Sequence, residues 1–424
     1  MQMRPFALLA GEPRFPWHSG WRGCAKHPCN VNVRSLAAEP YPTLGWRPTA
    51  EQRVAALSRP ALSPITAGLD ETVPFVGPEA IMRRTGVPLR ARIGANESPF
   101  GPAPSVLAAM RAAAADSWHY GDPENHDLRA AIAAHLGVDF ANVMPGEGVD
   151  AILGMAVRLY AAPGSTVVTS LGGYPTFNYH IFGYGAQMHT VPYIGDREDI
   201  DALARAAHET NASMVYLANP DNPMGSWWDA ASVERFIAAV PETTMIILDE
   251  AYGEFAPAGT LPPLDMSRPN LLRMRTFSKA YGLAGARVGY VFGEARSISA
   301  FNRIRNHFGI SNVAQAAGIA ALADSAALEQ SIAAVRESLA DTAAIVRRHG
   351  LAPLPTATNF VAVDCGRDGP YAQAILDGLA QRGVFVRKPS VTGLNRCIRI
   401  SAGTAQDRAL LDQALGGVLA ELGR

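Results

Sequence analysis

Four short runs of this chain are near-continuously apolar: STVVT at 165–169, SMVYLA at 213–218, MIILD at 245–249 and VGYVF at 288–292. A strand that alternates apolar and polar residues can leave one face in water, whereas one that is apolar throughout must be covered on both faces. Helical patterns separate the runs, so the arrangement predicts an α/β fold with a mainly parallel sheet and helices packed on either side. Upstream, 106–115 and 127–136 carry helical spacing. From about residue 311 the pattern changes to two long Ala-rich helical stretches, with shorter strand candidates near 359–364, 384–387 and 397–400, which predicts a smaller α+β lobe. A chain of 424 residues, 48% of them hydrophobic, can bury cores of this size. Residues 1–70 are rich in Pro, Trp, Gly and Arg and hold no sustained period, so they are expected to form a poorly ordered extension. The expected divisions are this extension, an arm with part of the small domain at 71–115, a large domain at 116–310 and a small C-terminal domain at 311–424.

A formal net charge of -1 argues against nucleic acid or a membrane surface held by bulk charge. No stretch reaches the roughly 18 uninterrupted apolar residues of a membrane span, and Glu12 cuts short the apolar opening after Arg4. The expectation is a cytoplasmic protein. Cys24, Cys29, Cys365 and Cys397 lack the spacing of a disulfide framework, which suits a reducing compartment. Cys24, His27 and Cys29 make at most half of a metal site, with no second Cys/His cluster behind them, so no metal is expected. Of the 37 Lys and Arg residues only Lys26, Lys279 and Lys388 are lysines. A compositional bias accounts for this, yet chemistry that needs an amine has just three candidates.

Three stretches carry chemistry. In Thr276-Phe277-Ser278-Lys279-Ala280-Tyr281-Gly282, followed by Arg287, a lysine sits among small and apolar residues. Burial lowers a lysine's pKa and frees the amine to attack an aldehyde, although a Gly-rich surface loop accounts for the pattern equally well. Ser278 and Arg287 are suited to a phosphate. In Ile246-Ile247-Leu248-Asp249-Glu250-Ala251-Tyr252 a carboxylate ends an apolar strand, where open α/β sheets bind ligands. It can ion-pair a pyridine nitrogen or serve as a plain cap. In Asn219-Pro220-Asp221-Asn222-Pro223-Met224-Gly225 two Asn-Pro pairs make a rigid turn after a strand. There Asn222 is free either to face a ligand or simply to form a loop.

Together, N-P-x-N-P-x-G, D-E-A-Y and S-K-x-x-x-L-A-G-x-R resemble the class I/II, fold-type I, pyridoxal-phosphate aminotransferases, and within them the histidinol-phosphate aminotransferase branch. The resemblance covers about residues 72–420. It implies a large domain with a mainly parallel, seven-stranded type of sheet, pyridoxal 5'-phosphate as cofactor, and ping-pong transfer of an amino group to a 2-oxo acid such as 2-oxoglutarate. The donor would be histidinol phosphate or an aromatic or other bulky amino acid. By the same resemblance Lys279 is the Schiff-base lysine and proton shuttle, and Asp249 is the pyridine-nitrogen partner. Asn222 and Tyr252 are the donors to the cofactor's phenolic oxygen, and Ser278 and Arg287 are its phosphate cradle. Gly148 and Val149, in Gly146-Glu147-Gly148-Val149-Asp150, correspond to a turn whose amides face that phosphate at a helix N-terminus. Phe177 matches the aromatic that stacks on the pyridine ring. Tyr120 matches a tyrosine that reaches the phosphate of the neighbouring subunit, which implies a homodimer with shared active sites. Arg399 matches the grip on the substrate carboxylate, Arg387 a second arginine for the anionic end, and Asn96 belongs to the entrance segment Asn96-Glu97-Ser98-Pro99-Phe100-Gly101-Pro102.

The pattern departs in several places. Phe75 stands where the branch has a tyrosine hydroxyl on the substrate phosphate, Gly77 and Pro78 come in the reverse order, Ser98 replaces an asparagine, Val149 replaces the usual hydroxyl residue, and Met224 replaces the usual threonine. Two other readings stay open. Decarboxylases and carbon–sulfur lyases of this fold use the same Lys and Asp. A regulator built on the domain should carry a helix-turn-helix segment ahead of it, and residues 1–70 show no paired amphipathic helices.

Overall fold

The computed structural model describes residues 60–71 and 76–423. The calls on Cys24, His27 and Cys29 and on Phe75 therefore lie outside the described residues, as does the extension except for residues 60–70, where Pro64–Ala67 form a short helix. From Leu62 onward the chain is one compact unit. Its strands are β1 Ala91–Arg92, β2 Val143–Gly146, β3 Thr166–Ser170, β4 Gln187–Val191, β5 Met214–Ala218, β6 Met245–Asp249, β7 Leu271–Thr276, β8 Gly289–Gly293, β9 Ala352–Pro353, β10 Phe360–Asp364, β11 Val384–Phe385 and β12 Cys397–Ser401.

Seven of them form one sheet in the order β2-β8-β7-β6-β5-β3-β4. All run parallel except β8, which is antiparallel to both of its neighbours. Alternate residues of the apolar runs enter different cores. Val167, Met214, Tyr216, Met245 and Ile247 pack on one face, and Val168, Val215, Leu217, Ile246 and Leu248 on the other. Burial on both sides is why these strands read as unbroken apolar segments.

The three strands without such a run have physical reasons to hide. Strand β2 contains Pro145 and Gly146 and lies at a sheet edge, where a missing N–H is tolerated. The other edge strand, β4, alternates exposed and half-buried residues and buries only its last, Val191. Strand β7 is central but carries Arg273 and Arg275.

A smaller antiparallel sheet has the order β12-β10-β9, and β1 pairs in parallel with β11. The two Ala-rich stretches are the helices Asn312–Ala323 and Ser325–Arg348, split only by Asp324. The Asp324 side chain accepts from the Ala327 N–H and so starts the second helix. Among the described residues no helix is long and apolar enough to cross a membrane.

Candidate active site

The sheet directs its chemistry to one edge. Strands β2, β3, β5, β6 and β7 all end there, and because β8 runs the other way, the residues just before it arrive at the same place. A cavity of about 520 Å³ lies at this edge. Lys279, Asp249, Tyr252, Asn222, Ser278, Arg287, Val149, Arg387, Arg399 and Asn96, all expected from the sequence, line it.

Asp249 ends β6 and is buried. Its Oδ2 accepts from the Tyr216 hydroxyl at 2.8 Å and its Oδ1 from the Ala251 N–H at 2.9 Å. Burial pushes its carboxyl up to about 6, against these hydrogen bonds. Lys279, three residues past β7, is half-buried and donates to the Asn96 carbonyl at 3.1 Å. Burial first, then the Arg399 charge, lowers its ammonium to about 8. A sizeable fraction is therefore neutral amine near physiological pH, which a nucleophile requires.

Asn96 is held in a left-handed conformation, φ 55°. Its Nδ2 donates to the Tyr252 hydroxyl at 2.8 Å, and its N–H donates to Ser401 Oγ at 2.9 Å. It thereby ties the D-E-A-Y turn to β12 and, through its carbonyl, to Lys279.

The helix Val149–Tyr160 starts three residues past the end of β2, and no side chain caps its first turn. Its N-terminal amides and dipole favour an anion. Gly148 has φ 83°, and a Cβ there would come within 2.6 Å of the Arg287 guanidinium, so glycine is required where the arginine crosses the turn. Ser278 accepts from the Thr276 hydroxyl at 3.0 Å on the same side of the cavity.

The opposite wall comes from the smaller sheet. Arg387 and Arg399 face each other across an antiparallel bridge, with Arg399 N–H 2.6 Å from the Arg387 carbonyl, so their side chains share a face. Arg399 Nη1 donates to Asn222 Oδ1, and Nη2 lies 3.5 Å from the Gly94 carbonyl. Its Nε is sealed from water and has no acceptor. Burial lowers its pKa to about 10.

Two expected residues lie elsewhere. Phe177 is fully buried one layer behind the cavity, stacked on Tyr216 with centroids 4.6 Å apart, while Tyr174 of the same segment lines the cavity. Tyr120 is 78% exposed and packs on Phe308, also exposed, at 4.7 Å. Sequence reasoning passed over Tyr216 and gave Lys388 no place in the site, yet both line the cavity. Tyr216 was detectable by its period-2 position, two residues before the end of an apolar strand. Lys388 was detectable as one of three lysines.

The sequence model of the family described as aminotransferase class I and II matches residues 91–418. The chain belongs to this family. The aminotransferase is 37% identical over 358 residues to histidinol-phosphate aminotransferase 2 of Pseudomonas aeruginosa, a match that covers 83% of this chain and 96% of that protein. It is 36% identical to the histidinol-phosphate aminotransferase of Anaeromyxobacter sp. (strain Fw109-5), over 85% and 99% of the two chains. Among solved structures it resembles histidinol-phosphate aminotransferase from Sinorhizobium meliloti in complex with pyridoxal-5'-phosphate, with TM-score 0.84 and 54% identity, over 87% of this chain and 100% of that one. The aminotransferase is therefore a fold-type I, pyridoxal-phosphate-dependent enzyme. Its substrates are small molecules, an amino donor and an oxo acid. Transamination is favoured over decarboxylation or carbon–sulfur cleavage.

Proposed function

We propose that the enzyme transaminates histidinol phosphate with a 2-oxo acid such as 2-oxoglutarate, at the cavity lined by Lys279 and Arg399. One observation carries this reading: Arg399 is charged, has one donor sealed from water without an acceptor, and donates hydrogen bonds only to neutral oxygens of the chain. Such a group is costly unless a ligand anion completes it. The names of the relatives supply the identity of the donor. Met224 does not weaken the reading, because its side chain is buried in an apolar cluster with Ala362, Leu394 and Cys397, behind the cavity wall.

The residues fit the cofactor. The uncapped helix start at Gly148 and Val149, with Ser278 and Arg287 beside it, would hold its phosphate. Asp249, ionised above about pH 6, would pair with its protonated ring nitrogen, and Asn222 and Tyr252 would face its phenolic oxygen. Phe177 would support the ring through Tyr216. Pyridoxal phosphate supplies an aldehyde that takes up the donor's amino group and a ring that delocalises the electron pair left at the α-carbon. Lys279 would hold that aldehyde, and its free amine would accept the proton from the donor's α-carbon and redeliver it. Arg399 and Arg387 orient the donor by its anionic end, which sets the α-hydrogen toward Lys279.

The reading includes a cytoplasmic homodimer in which Tyr120, exposed in one protomer, reaches the partner's cofactor phosphate. It also retains the division into extension, arm, large domain and small domain given above.

The test is to record the near-visible absorbance of the purified protein and add donors singly. Bleaching of the band by histidinol phosphate is the expected outcome. Bleaching by phenylalanine or tyrosine alone reassigns the donor. A Lys279→Ala protein that absorbs identically to the wild type removes Lys279 from its role.

A further inference from the structure

Glu198 lies directly before Asp199, the cap of the helix Ile200–Glu209, and is 1% exposed. The reaction described above gives this buried acid no task. Its Oε2 accepts from the N–H of Ala218, at the end of β5, at 3.0 Å. Its Oε1 is sealed from water and has no partner, and neither has the hydroxyl of Ser170 at the end of β3. The two groups are neighbours, since a Cβ on Gly173 would lie 3.6 Å from Glu198 Oε1 and 3.7 Å from Ser170 Cβ. Asp221, 2% exposed, is the acid that Glu198 feels most strongly, and it is satisfied differently. Its Oδ1 accepts from the Tyr193 hydroxyl at 2.8 Å and its Oδ2 from the Met224 N–H at 3.0 Å.

Burial first, then the charge of Asp221, pushes the Glu198 carboxyl well above the usual carboxylate range. Burial raises Asp221 to about 7, against its hydrogen bonds and the more distant charge of Arg399. The other titratable groups around Glu198 are acids too: Asp249, Tyr193 and Tyr216. Two buried carboxyls that repel each other, with no cation paired to either among the described residues, do not both ionise near neutral pH. Geometry decides which one keeps the proton. Both oxygens of Asp221 face donors, which suits a carboxylate. Glu198 has one oxygen on a donor and the other beside a hydroxyl able to accept, which suits a carboxylic acid. Its backbone is anchored to the same turn. The Glu198 carbonyl accepts from Trp228 Nε1 at 2.9 Å, and the Trp228 N–H and carbonyl pair with the Asn219 side chain at 2.9 and 3.1 Å. Asn219 opens the turn that carries Asn222 to the cavity.

We propose that Glu198 is a positioning residue: as a neutral acid it accepts from the Ala218 N–H and donates to Ser170 Oγ, tying the end of β3 to the end of β5 and holding Asn222 where it meets Arg399. The proposal rests on the roles given above to Asn222 and Arg399, but its first measurement is independent of both. That measurement is the infrared carbonyl stretch of protonated carboxyl groups at pH 7, in apoenzyme and holoenzyme. A band present in the wild type and missing from Glu198→Gln is the expected result, and its absence from the difference spectrum overturns the proposal. The amide of Glu198→Gln can accept and donate at the same two places, so kcat/KM should stay within about threefold. Glu198→Ala leaves the Ala218 N–H and Ser170 unmatched and should lose roughly 10- to 100-fold of kcat/KM through misplacement of Asn222 and Arg399. The pH midpoint of the near-visible band, recorded without donor, should move in Glu198→Ala and stay in place in Glu198→Gln. A Glu198→Gln enzyme as impaired as Glu198→Ala means that a negative charge is required, and overturns the proposal. A Glu198→Ala enzyme that melts earlier, yet keeps its band midpoint and kcat/KM, makes Glu198 a structural residue and overturns it as well. If Glu198→Ala does not fold, the infrared difference and the band midpoint and kcat/KM of Glu198→Gln decide. If the wild type reacts with no donor, the transamination assignment fails by itself, while the infrared and band comparisons still decide for Glu198.

Discussion

Two arginines in this protein are held in opposite ways. Arg273, in the middle of β7, is 1% exposed and fully engaged. Its Nε and Nη2 lie 2.9 and 2.5 Å from Glu250 Oε1, and its Nη1 donates to the Pro263 carbonyl at 2.8 Å. Arg275 takes the other oxygen of the same carboxylate at 2.9 Å. Arg399 likewise projects from a strand, here into the cavity, but its acceptors are an amide and a carbonyl, and one N–H has none. A charge whose counter-ion is built into the chain supports the sheet. A charge without one marks the place of a ligand, and the two can be told apart by their partners alone.

The largest effect that can break this contrast falls on stability. Arg273→Met leaves Glu250, which is 0% exposed, with Arg275 as its remaining ion-pair partner. Removing one member of a buried ionic group costs about 3–5 kcal/mol, so the unfolding free energy from denaturant titration should fall by that amount while the ranking of donors stays unchanged. Arg399→Gln should do the reverse. Its unfolding free energy should move by less than about 1 kcal/mol, because no ion-paired carboxylate is stranded. Meanwhile kcat/KM for anionic donors should drop about 100-fold, the 2–5 kcal/mol range of a truncated buried charge contact. If Arg399→Gln unfolds as readily as Arg273→Met, the guanidinium is a structural group and the contrast fails.

The same contrast explains what could be read from the sequence. Strands β3, β5, β6 and β8 were legible because both of their faces are apolar. Strand β7 was not, because Arg273 and Arg275 interrupt its run, and the glutamate that neutralises them lies more than twenty residues upstream. The antiparallel direction of β8 was equally hidden, since direction leaves no trace in a short apolar run. Within the cavity, Lys279, Asp249, Asn222 and Arg287 were found because motifs at strand ends carry them. Phe177 and Tyr174 share one such segment, and only packing against Tyr216 decides which ring faces the cavity. Lys388 carries no motif, and its place at the cavity wall is a three-dimensional fact.

The smallest effect sharpens the comparison from the side of Lys279, whose pKa is lowered by burial and, secondarily, by the unneutralised Arg399. A lysine that titrates near 8 in the folded chain, and at 10.5 in the unfolded chain, binds its proton less well when folded. Between these values the unfolded state holds more protons, so stability rises with pH across the window, and below about pH 8 the full penalty is present. At 1.36 kcal/mol per unit, reduced because the amine is partly open to cavity water, the penalty is roughly 2 kcal/mol. The Lys279→Met apoenzyme should therefore melt above the wild-type apoenzyme at pH 7, and the gap should close as pH approaches 10.5. In an Arg399→Gln background the gap at pH 7 should shrink, because part of the penalty is the repulsion between these two cations. A gap that is constant from pH 7 to 10.5 would show that Lys279 is not held below its ordinary pKa, and that Arg399 leaves its charge unfelt by the residue nearest to the chemistry.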